Sequence, residues 1–158
     1  MRTYSFDTSA FIEPWSRHYP LELFGPLWER LDELARDGIV VACEEVHYEI
    51  GKKTDSLASW FADRGHFFLE PTEPVQLAVK SILKSHPRLV SMAKNRSGAD
   101  PWVIAQAQSI NGAVVTYETW DPKRKNIKIP EVCHDLGLSC LTFIQFLQEC
   151  GIKFGIQT

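Results

Sequence analysis

Four acidic residues that are far apart in this sequence, Asp7, Glu49, Asp100 and Glu118, are placed where a parallel sheet would bring them together. Clustered carboxylates repel one another and raise one another's pKa unless a cation compensates their charge. Their oxygens are the ligands that hard divalent ions such as Mg²⁺ and Mn²⁺ prefer. A metal held in this way can activate water and stabilise the charge that develops on a phosphodiester. We therefore expect a metal-dependent site that can hydrolyse a phosphodiester.

The sequence contains no competing catalytic motif. It has no Gly-x-Ser-x-Gly elbow, no phosphate-binding loop and no dinucleotide-binding glycine pattern, and none of its five histidines has a partner at metal-ligand spacing. The four cysteines form no Cys-x-x-Cys pair, so we interpret them as buried or partly exposed thiols, with a zinc site as the alternative. They are Cys43, Cys133, Cys140 and Cys150.

Strands and helices alternate along the chain and must position the acids. Apolar runs of β-forming residues predict strands over residues 3–6, 39–42, 67–69, 113–116 and 139–141. Apolar residues at helical spacing, with Pro and Gly at the ends, predict the helices. These span residues 10–18 with a bend at Pro14, then from Leu23 to a stop at Gly38, 44–53, 57–63, 75–85, 102–110, 130–136 and 142–148.

This alternation predicts an α/β fold of three α/β/α layers around a central, mostly parallel sheet. Ligands of such sheets bind beyond the carboxyl ends of the strands. Asp7 follows the first strand and Glu118 follows the fourth, so both lie at that edge. Asp100 opens a crossover helix, and Glu49 lies about five residues into another, within roughly two turns of its start. The topology therefore brings all four acids to one edge.

Each acid also has a purely structural interpretation. Asp7 could cap the helix that follows it, and Asp100 before Pro101 could be an ordinary N-cap. Glu49 could be a solvated helix position and Glu118 a loop residue. A shared site accounts for all four acids together.

At these residues the chain resembles the PIN domain nucleases. The matching pieces are Asp7-Thr8-Ser9, Glu49 in the helix after the second strand, the Asp-Pro-Trp-Val-Ile-Ala helix that begins at Asp100, and Val-Val-Thr-Tyr-Glu, which ends at Glu118. The resemblance covers residues 1–149 and leaves 150–158 as a C-terminal tail. The Ser-Gly-Ala-Asp-Pro-Trp segment resembles a poorly characterised bacterial and archaeal PIN-like subfamily.

The resemblance implies a Mg²⁺- or Mn²⁺-dependent endoribonuclease. Asp7, Glu49 and Asp100 would ligate the metal, and Glu118 would ligate it directly or through water. Many small members of the family are toxins of toxin–antitoxin pairs, each inhibited by an antitoxin protein that blocks the acidic site.

Two further residues match supporting positions of the family pattern. Ser9 matches the small hydroxyl residue that supports the first Asp, and Thr116 matches the Thr that precedes the last acid.

Three alternatives stay open. The last acid of the family is usually Asp, so Asp121 rivals Glu118 for that place. Glu45 lies on the same helical face as Glu49 and could replace it. The Glu at 118 and the negative net charge also allow a catalytically inactive PIN-fold module that binds RNA or a protein.

Basic residues are clustered despite a formal net charge of −3. Once the four carboxylates are assigned to metal, the rest of the chain carries a net charge of +1. A solvated loop is the other interpretation of each basic cluster. The residues predicted to contact RNA are Lys52, Lys53, Arg96, Lys123 and Arg124.

The sequence shows no apolar stretch near the roughly 20 residues that a membrane span requires, and no secretory signal. We therefore expect a cytoplasmic protein that does not bind membranes. Trp15, Trp28 and Trp60, together with the helix from Leu23, could contribute to a homodimer face, with Trp28 the strongest candidate; the alternative is that they fill the core.

Overall fold

A five-stranded parallel sheet forms the centre of the computed structural model, which describes residues 1–54, 56–90, 98–123 and 127–156. The strands lie in the order β3-β2-β1-β4-β5, and every adjacent pair is parallel. The first strand is therefore central and its carboxyl end is flanked on both sides. The strands are β1 (Tyr4–Phe6), β2 (Val40–Cys43), β3 (Phe68–Leu69), β4 (Ala113–Val115) and β5 (Cys140–Leu141).

The described residues also form eight α-helices that connect and cover the strands. They are α1 (Ser9–Glu13), α2 (Leu21–Arg36), α3 (Glu44–Lys53), α4 (Ser56–Phe61), α5 (Glu73–Ser85), α6 (Asp100–Ser109), α7 (Ile129–Leu136) and α8 (Phe143–Glu149). Each predicted strand and helix has a counterpart, with ends that differ by a few residues. The predicted three-layer α/β/α fold with a parallel sheet is confirmed.

Alternate residues of β1 face opposite layers, as the two-residue period of a strand requires. Tyr4 and Phe6 point to one face, where both rings pack edge-to-face against Phe146 of α8. Ser5 points to the other face and donates its hydroxyl proton to α6, with Val103 O at 2.9 Å and Gln106 Oε1 at 2.8 Å. Helix α6 thus lies directly under the strand that leads into Asp7.

The predicted bend at Pro14 is a short π-helix, Pro14–His18. The widened turn is closed by the N–H of Tyr19, which donates to Pro14 O five residues earlier at 2.6 Å. Proline itself has no N–H to donate to the preceding turn. In α2 the backbone is also non-helical at Phe24. Pro26 therefore falls in the first turn after this kink, where a proline is tolerated.

Trp28 is a core residue, so the prediction that it contributes to a homodimer face is wrong. Its side chain is 1% exposed, and its ring packs edge-to-face against Trp15 and Trp60 at centroid distances of 4.9 and 5.5 Å. Its indole N–H donates to Tyr19 O at 2.8 Å. The leucine spacing of α2 therefore marks a buried face.

Gly112 allows β4 to approach β1 closely. A Cβ at this position would overlap the carbonyl oxygen of Thr3, which accepts the N–H of Ala113 at 3.0 Å. Only glycine can therefore stand here without moving the backbone. The preceding Asn111 has a positive φ of 50°, which completes the tight turn from α6 into β4.

The tail that follows α8 packs back onto the domain. Ile152 N–H donates to Leu147 O at 3.0 Å, and the ring of Phe154 contacts those of Tyr19 and Phe24. None of the helices in the described part of the chain is both long and apolar enough to span a membrane.

Candidate active site

Asp7 lies at the carboxyl end of the central strand. Its N–H continues the β1–β4 ladder by donating to Val115 O at 2.9 Å, and its side chain is only 4% exposed. Its carboxylate oxygen Oδ2 accepts hydrogen bonds from the hydroxyls of Ser9 at 2.7 Å and Thr116 at 2.9 Å. Both donors bind the same oxygen, and together they fix the orientation of the carboxylate.

The structure places the two predicted supporting residues, Ser9 and Thr116, against Asp7 and against each other, with their hydroxyl oxygens 3.3 Å apart. Ser9 Oγ also accepts the N–H of Tyr117 at 3.0 Å, and Thr116 Oγ1 accepts the N–H of Glu118 at 3.0 Å. These bonds tie the start of α1 to the loop that follows β4. The position of Glu118 relative to Asp7 is thereby fixed.

Glu49 reaches this edge from the second half of α3. Its Oε2 accepts the hydroxyl of Thr8 at 2.6 Å, and its Oε1 accepts the N–H of Ala99 at 3.3 Å. One carboxylate therefore connects the loop after β1 with the start of α6. Sequence reasoning did not identify Thr8 as a partner, although its place between Asp7 and Ser9 was a usable signal.

Glu45, the alternative to Glu49, does not line the cleft that holds the other acids. Burial is the main cause that raises its pKa, and its Oε2 has no hydrogen-bond partner among the described residues. The geometry therefore favours Glu49 as the acid that α3 contributes.

Asp100 is the first residue of α6 and is not its N-cap. Ala99 occupies the cap position, and no side chain caps the helix by a hydrogen bond. The Asp100 side chain is 4% exposed, and its Oδ2 has no hydrogen-bond partner among the residues that the structure describes. A buried carboxylate oxygen without a donor is costly, because its lost hydration is not replaced.

The pKa of Asp100 is raised well above its usual range, chiefly by burial and further by the negative charges of Asp7, Glu118 and Glu49. The positive charge of Lys128 acts in the opposite direction. Burial also raises the pKa of Asp7, although its bonds from Ser9 and Thr116 favour the charged form. The acids therefore form one electrostatic group that a bound cation would stabilise.

Glu118 approaches the group from the loop after β4. Its Oε2 accepts the N–H of Ile129, the first residue of α7, at 3.0 Å. Its rival Asp121 is exposed, accepts the N–H of Lys123 at 2.9 Å and does not line the cleft. Of the two, the structure brings Glu118 to the other acids.

The four acids share one cleft of about 270 Å³. Its walls are formed by Asp7, Thr8, Ser9, Ile12, Glu13, Glu49, Lys53, Asp100 and Glu118. Glu13 was not predicted, although it lies one helical turn after Ser9 and on the same face.

The donor set fits a hard cation, since it consists of carboxylates and one of them has an unpaired buried oxygen. In the described part of the chain, however, no three His, Cys, Asp or Glu side chains are arranged to hold an ion as they stand. Oxygens of Glu49 and Glu118 accept hydrogen bonds from protein donors instead. The described residues likewise contain no cluster of side chains around the cysteines that could hold zinc. None of the four cysteines forms a disulfide in this part of the chain.

The basic residues predicted to contact RNA are distributed unevenly. Lys53 lines the acidic cleft, whereas Lys52 and Lys123 are exposed and do not line it. Arg96 and Arg124 lie outside the described residues, so those two predictions stay as they are.

The parallel sheet in the order β3-β2-β1-β4-β5, with acids at its carboxyl edge, defines a PIN-like fold. The chain belongs to the family described as a domain of unknown function (DUF4411), whose model matches residues 4–154.

Among solved structures, a chain of VapBC2 from Rickettsia felis, crystallised bound to a DNA fragment from their promoter, is similar in fold. The TM-score is 0.56 with 13% identity, over 89% of this chain and 98% of that one. No curated protein matches the sequence. At this identity the likeness bears on the fold alone, so the predicted subfamily stays a prediction.

Proposed function

We propose that this protein is a Mg²⁺- or Mn²⁺-dependent endoribonuclease that hydrolyses RNA phosphodiesters at the acidic cleft. The observation that carries the proposal is the buried carboxylate of Asp100, whose Oδ2 lacks a donor in the described structure and which lies beside Asp7, Glu49 and Glu118. A site that only stabilised the fold would satisfy or neutralise such an oxygen. Perturbed acids in a cleft are typical of functional sites.

In this proposal Asp7, Asp100 and Glu49 hold the metal, and Glu118 holds it directly or through water. When bound, the metal supplies charge stabilisation and an activated water for phosphodiester hydrolysis. Ser9 and Thr116 orient the Asp7 carboxylate through their two bonds to its Oδ2.

Glu49 and Glu118 have a second role in the proposal, because their oxygens are bonded to backbone N–H groups. Exchanging those bonds for metal ligation would couple occupancy of the cleft to the starts of α6 and α7. Because the backbone of the loop after β4 is held by Ser9 and Thr116, we expect the Glu49 and Glu118 side chains to be the part of the site that adjusts.

We further propose that the protein is the toxin of a toxin–antitoxin pair and acts in the cytoplasm. The support is the fold shared with a chain of the VapBC2 structure, together with an acidic cleft that an antitoxin could cover. A protein that masks the cleft would do so best with a cationic side chain, because the cleft is lined by five carboxylates. Whether copies of the chain also pair with each other stays an open prediction.

The ribonuclease proposal is tested with purified protein and labelled single-stranded RNA, in EDTA and in Mg²⁺ or Mn²⁺. We expect metal-dependent cleavage that falls at least 100-fold in Asp7→Asn and in Asp100→Asn, because each removes a charge the site depends on. Asp121→Asn is the matched control, since Asp121 is exposed and outside the cleft, and it should retain activity. Cleavage that survives both cleft substitutions would exclude this site.

A second candidate function is a catalytically inactive module that binds RNA or a protein. It is favoured by the present orientation of Glu49 and Glu118, which leaves no three acids arranged around one point among the described residues. Titration calorimetry separates the two functions. No heat with Mn²⁺, together with RNA affinity that is unaltered in Asp7→Asn, would support the binding module.

A further inference from the structure

A second cavity, of about 410 Å³, lies beside the acidic cleft and shares Glu118 with it as a wall. The loop after β4, α7 and β5 form its sides. Its volume falls within the roughly 300–1,000 Å³ typical of small-ligand sites. An occupant of this cavity would therefore be in contact with the residue that also borders the acids.

An aromatic ring stands at this cavity in an exposed position. Trp120 is 49% exposed, and its ring packs edge-to-face against His134 at a centroid distance of 5.1 Å. Contact with the imidazole holds the indole in place while leaving half of its surface to solvent. A large aromatic side chain kept exposed beside a cavity is a platform on which a planar group can stack.

The remaining walls combine apolar surface with polar groups. Pro130 and Leu141 supply the apolar part, while His134 and Thr142 supply an imidazole and a hydroxyl. Thr142 Oγ1 accepts the N–H of Gln145 at 3.1 Å, so its own proton is left to donate. Apolar walls with a few polar groups suit a flat heterocycle that has hydrogen-bonding edges.

A positive charge lies near the acids, on a residue that lines neither cavity. Lys128, the residue directly before α7, is close enough to Asp100 for its charge to act on that carboxylate. An ammonium group here can pair with a phosphate. A ligand that carries a ring in one cavity and a phosphate toward the other would match both surfaces.

We propose that the second cavity binds one unpaired nucleobase of the RNA, stacked on Trp120, with the adjoining phosphate directed to the acidic cleft. The inference rests on the proposed ribonuclease function, because it names the part of that substrate which lies next to the acids. Proteins recognise single-stranded RNA by stacking splayed bases on aromatic side chains. The cavity is therefore the place where base preference is set.

The test is a binding measurement on the metal-free full-length protein, which makes it independent of catalysis. The ¹⁵N-labelled protein is titrated with AMP, GMP, CMP and UMP, and with ribose 5-phosphate, which lacks a base. The indole N–H signal of Trp120 is assigned by its loss in Trp120→Phe. We expect at least one nucleotide to shift this signal, and ribose 5-phosphate not to shift it.

Substitutions at Trp120 then show whether the nucleotide binds at this residue. Trp120→Ala should weaken the Kd of the preferred nucleotide about ten-fold, since stacking is lost, and Trp120→Phe should retain much of the affinity. Phe154→Ala is the matched control, because Phe154 is equally exposed at 49% and lines neither cavity. Melting temperatures of all three variants show that the fold is kept.

The outcomes separate this inference from the proposed activity. Nucleotide binding at Trp120 without any RNA cleavage would support the inference and count against the nuclease. No shift from any of the four nucleotides, or a Kd in Trp120→Ala within two-fold of the original, would overturn the inference even if RNA is cleaved. In that case the cavity would be available to a protein partner.

Discussion

Two buried aspartates of the cleft differ in how their oxygens are satisfied. Asp7 Oδ2 receives two hydroxyl protons, whereas Asp100 Oδ2 receives none from the described residues. A buried charge without donors costs more than one that is hydrogen-bonded. The Asp100 carboxylate therefore lowers the stability of the fold while serving the proposed function as a metal ligand.

Replacing Asp100 with asparagine should raise the melting temperature of the protein. The amide keeps the shape of the side chain but removes a buried charge that faces three other acids, so we expect the metal-free protein to melt at a higher temperature at pH 7.5. About 1 kcal/mol corresponds to roughly 2–4 °C at this chain length. Thermal unfolding in EDTA measures the change. Asp121→Asn, in an exposed loop, should leave the melting temperature unaltered, and a lower temperature for Asp100→Asn would contradict the argument.

Among the elements, the β4 strand carries the greatest share of the site's geometry. It pairs with β1 along its whole length, and the residues that follow it, Thr116 and Glu118, face Asp7. The close approach of the two strands depends on Gly112, where no Cβ fits. A change at this glycine should reach the acids through the backbone.

We therefore predict that Gly112→Ala destabilises the protein by about 2–3 kcal/mol, within the range of strong backbone clashes. Gly51→Ala in α3 is the control, because a Cβ there meets nothing within 4 Å. Replacing a helical glycine with alanine should stabilise by about 0.5–1 kcal/mol. Urea unfolding of both variants measures the difference, and equal stabilities would contradict the role given to Gly112.

Many of these strands and helices can be predicted from the periodicity of apolar residues in the sequence. The apolar run from Ile39 and the leucines of α2 predict a buried strand and a buried helix face, because burial imposes those spacings. The carboxyl-edge rule then brings Asp7 and Glu118 together. These steps depend only on local pattern and on the topology that the pattern implies.

Other features depend on contacts between distant residues, which local pattern does not encode. The sequence left open whether Trp28 lies at a surface or in the core, because its ring partners, Trp15 and Trp60, come from separate elements. The choice of Glu49 over Glu45 is likewise set by the positions of Thr8 and Ala99. Glu45 and Glu49 lie on the same face of α3, so their spacing in the sequence could not show which of them lines the cleft.

For the whole molecule, the buried acids predict how stability depends on pH. The pKa values of Asp7 and Asp100 are raised in the folded state, mainly by burial. The unfolded chain therefore ionises these groups first as pH rises. Their contribution to stability is complete below the ordinary carboxyl pKa and is lost as pH rises through the raised values.

We accordingly expect the metal-free protein to lose stability from these groups as the pH rises above the ordinary carboxyl pKa, and Mn²⁺ to restore stability at pH 7.5. Ligand binding to the folded state alone stabilises by about 2.7 kcal/mol at 100 times the Kd. Calorimetric melting at several pH values, with and without Mn²⁺, measures both effects. The same Mn²⁺ addition to Asp7→Asn should have little effect, and equal stabilisation of both proteins would place the ion elsewhere.

The central position of β1 also determines when the site can exist during synthesis. Asp7 leaves the ribosome before Thr116, which holds its carboxylate and lies 109 residues later in the chain. At translation rates of about 5–20 residues per second, this is a delay of roughly 5–20 s. A nascent chain is therefore without its assembled acidic edge throughout this delay, and any partner made alongside it has that interval in which to accumulate.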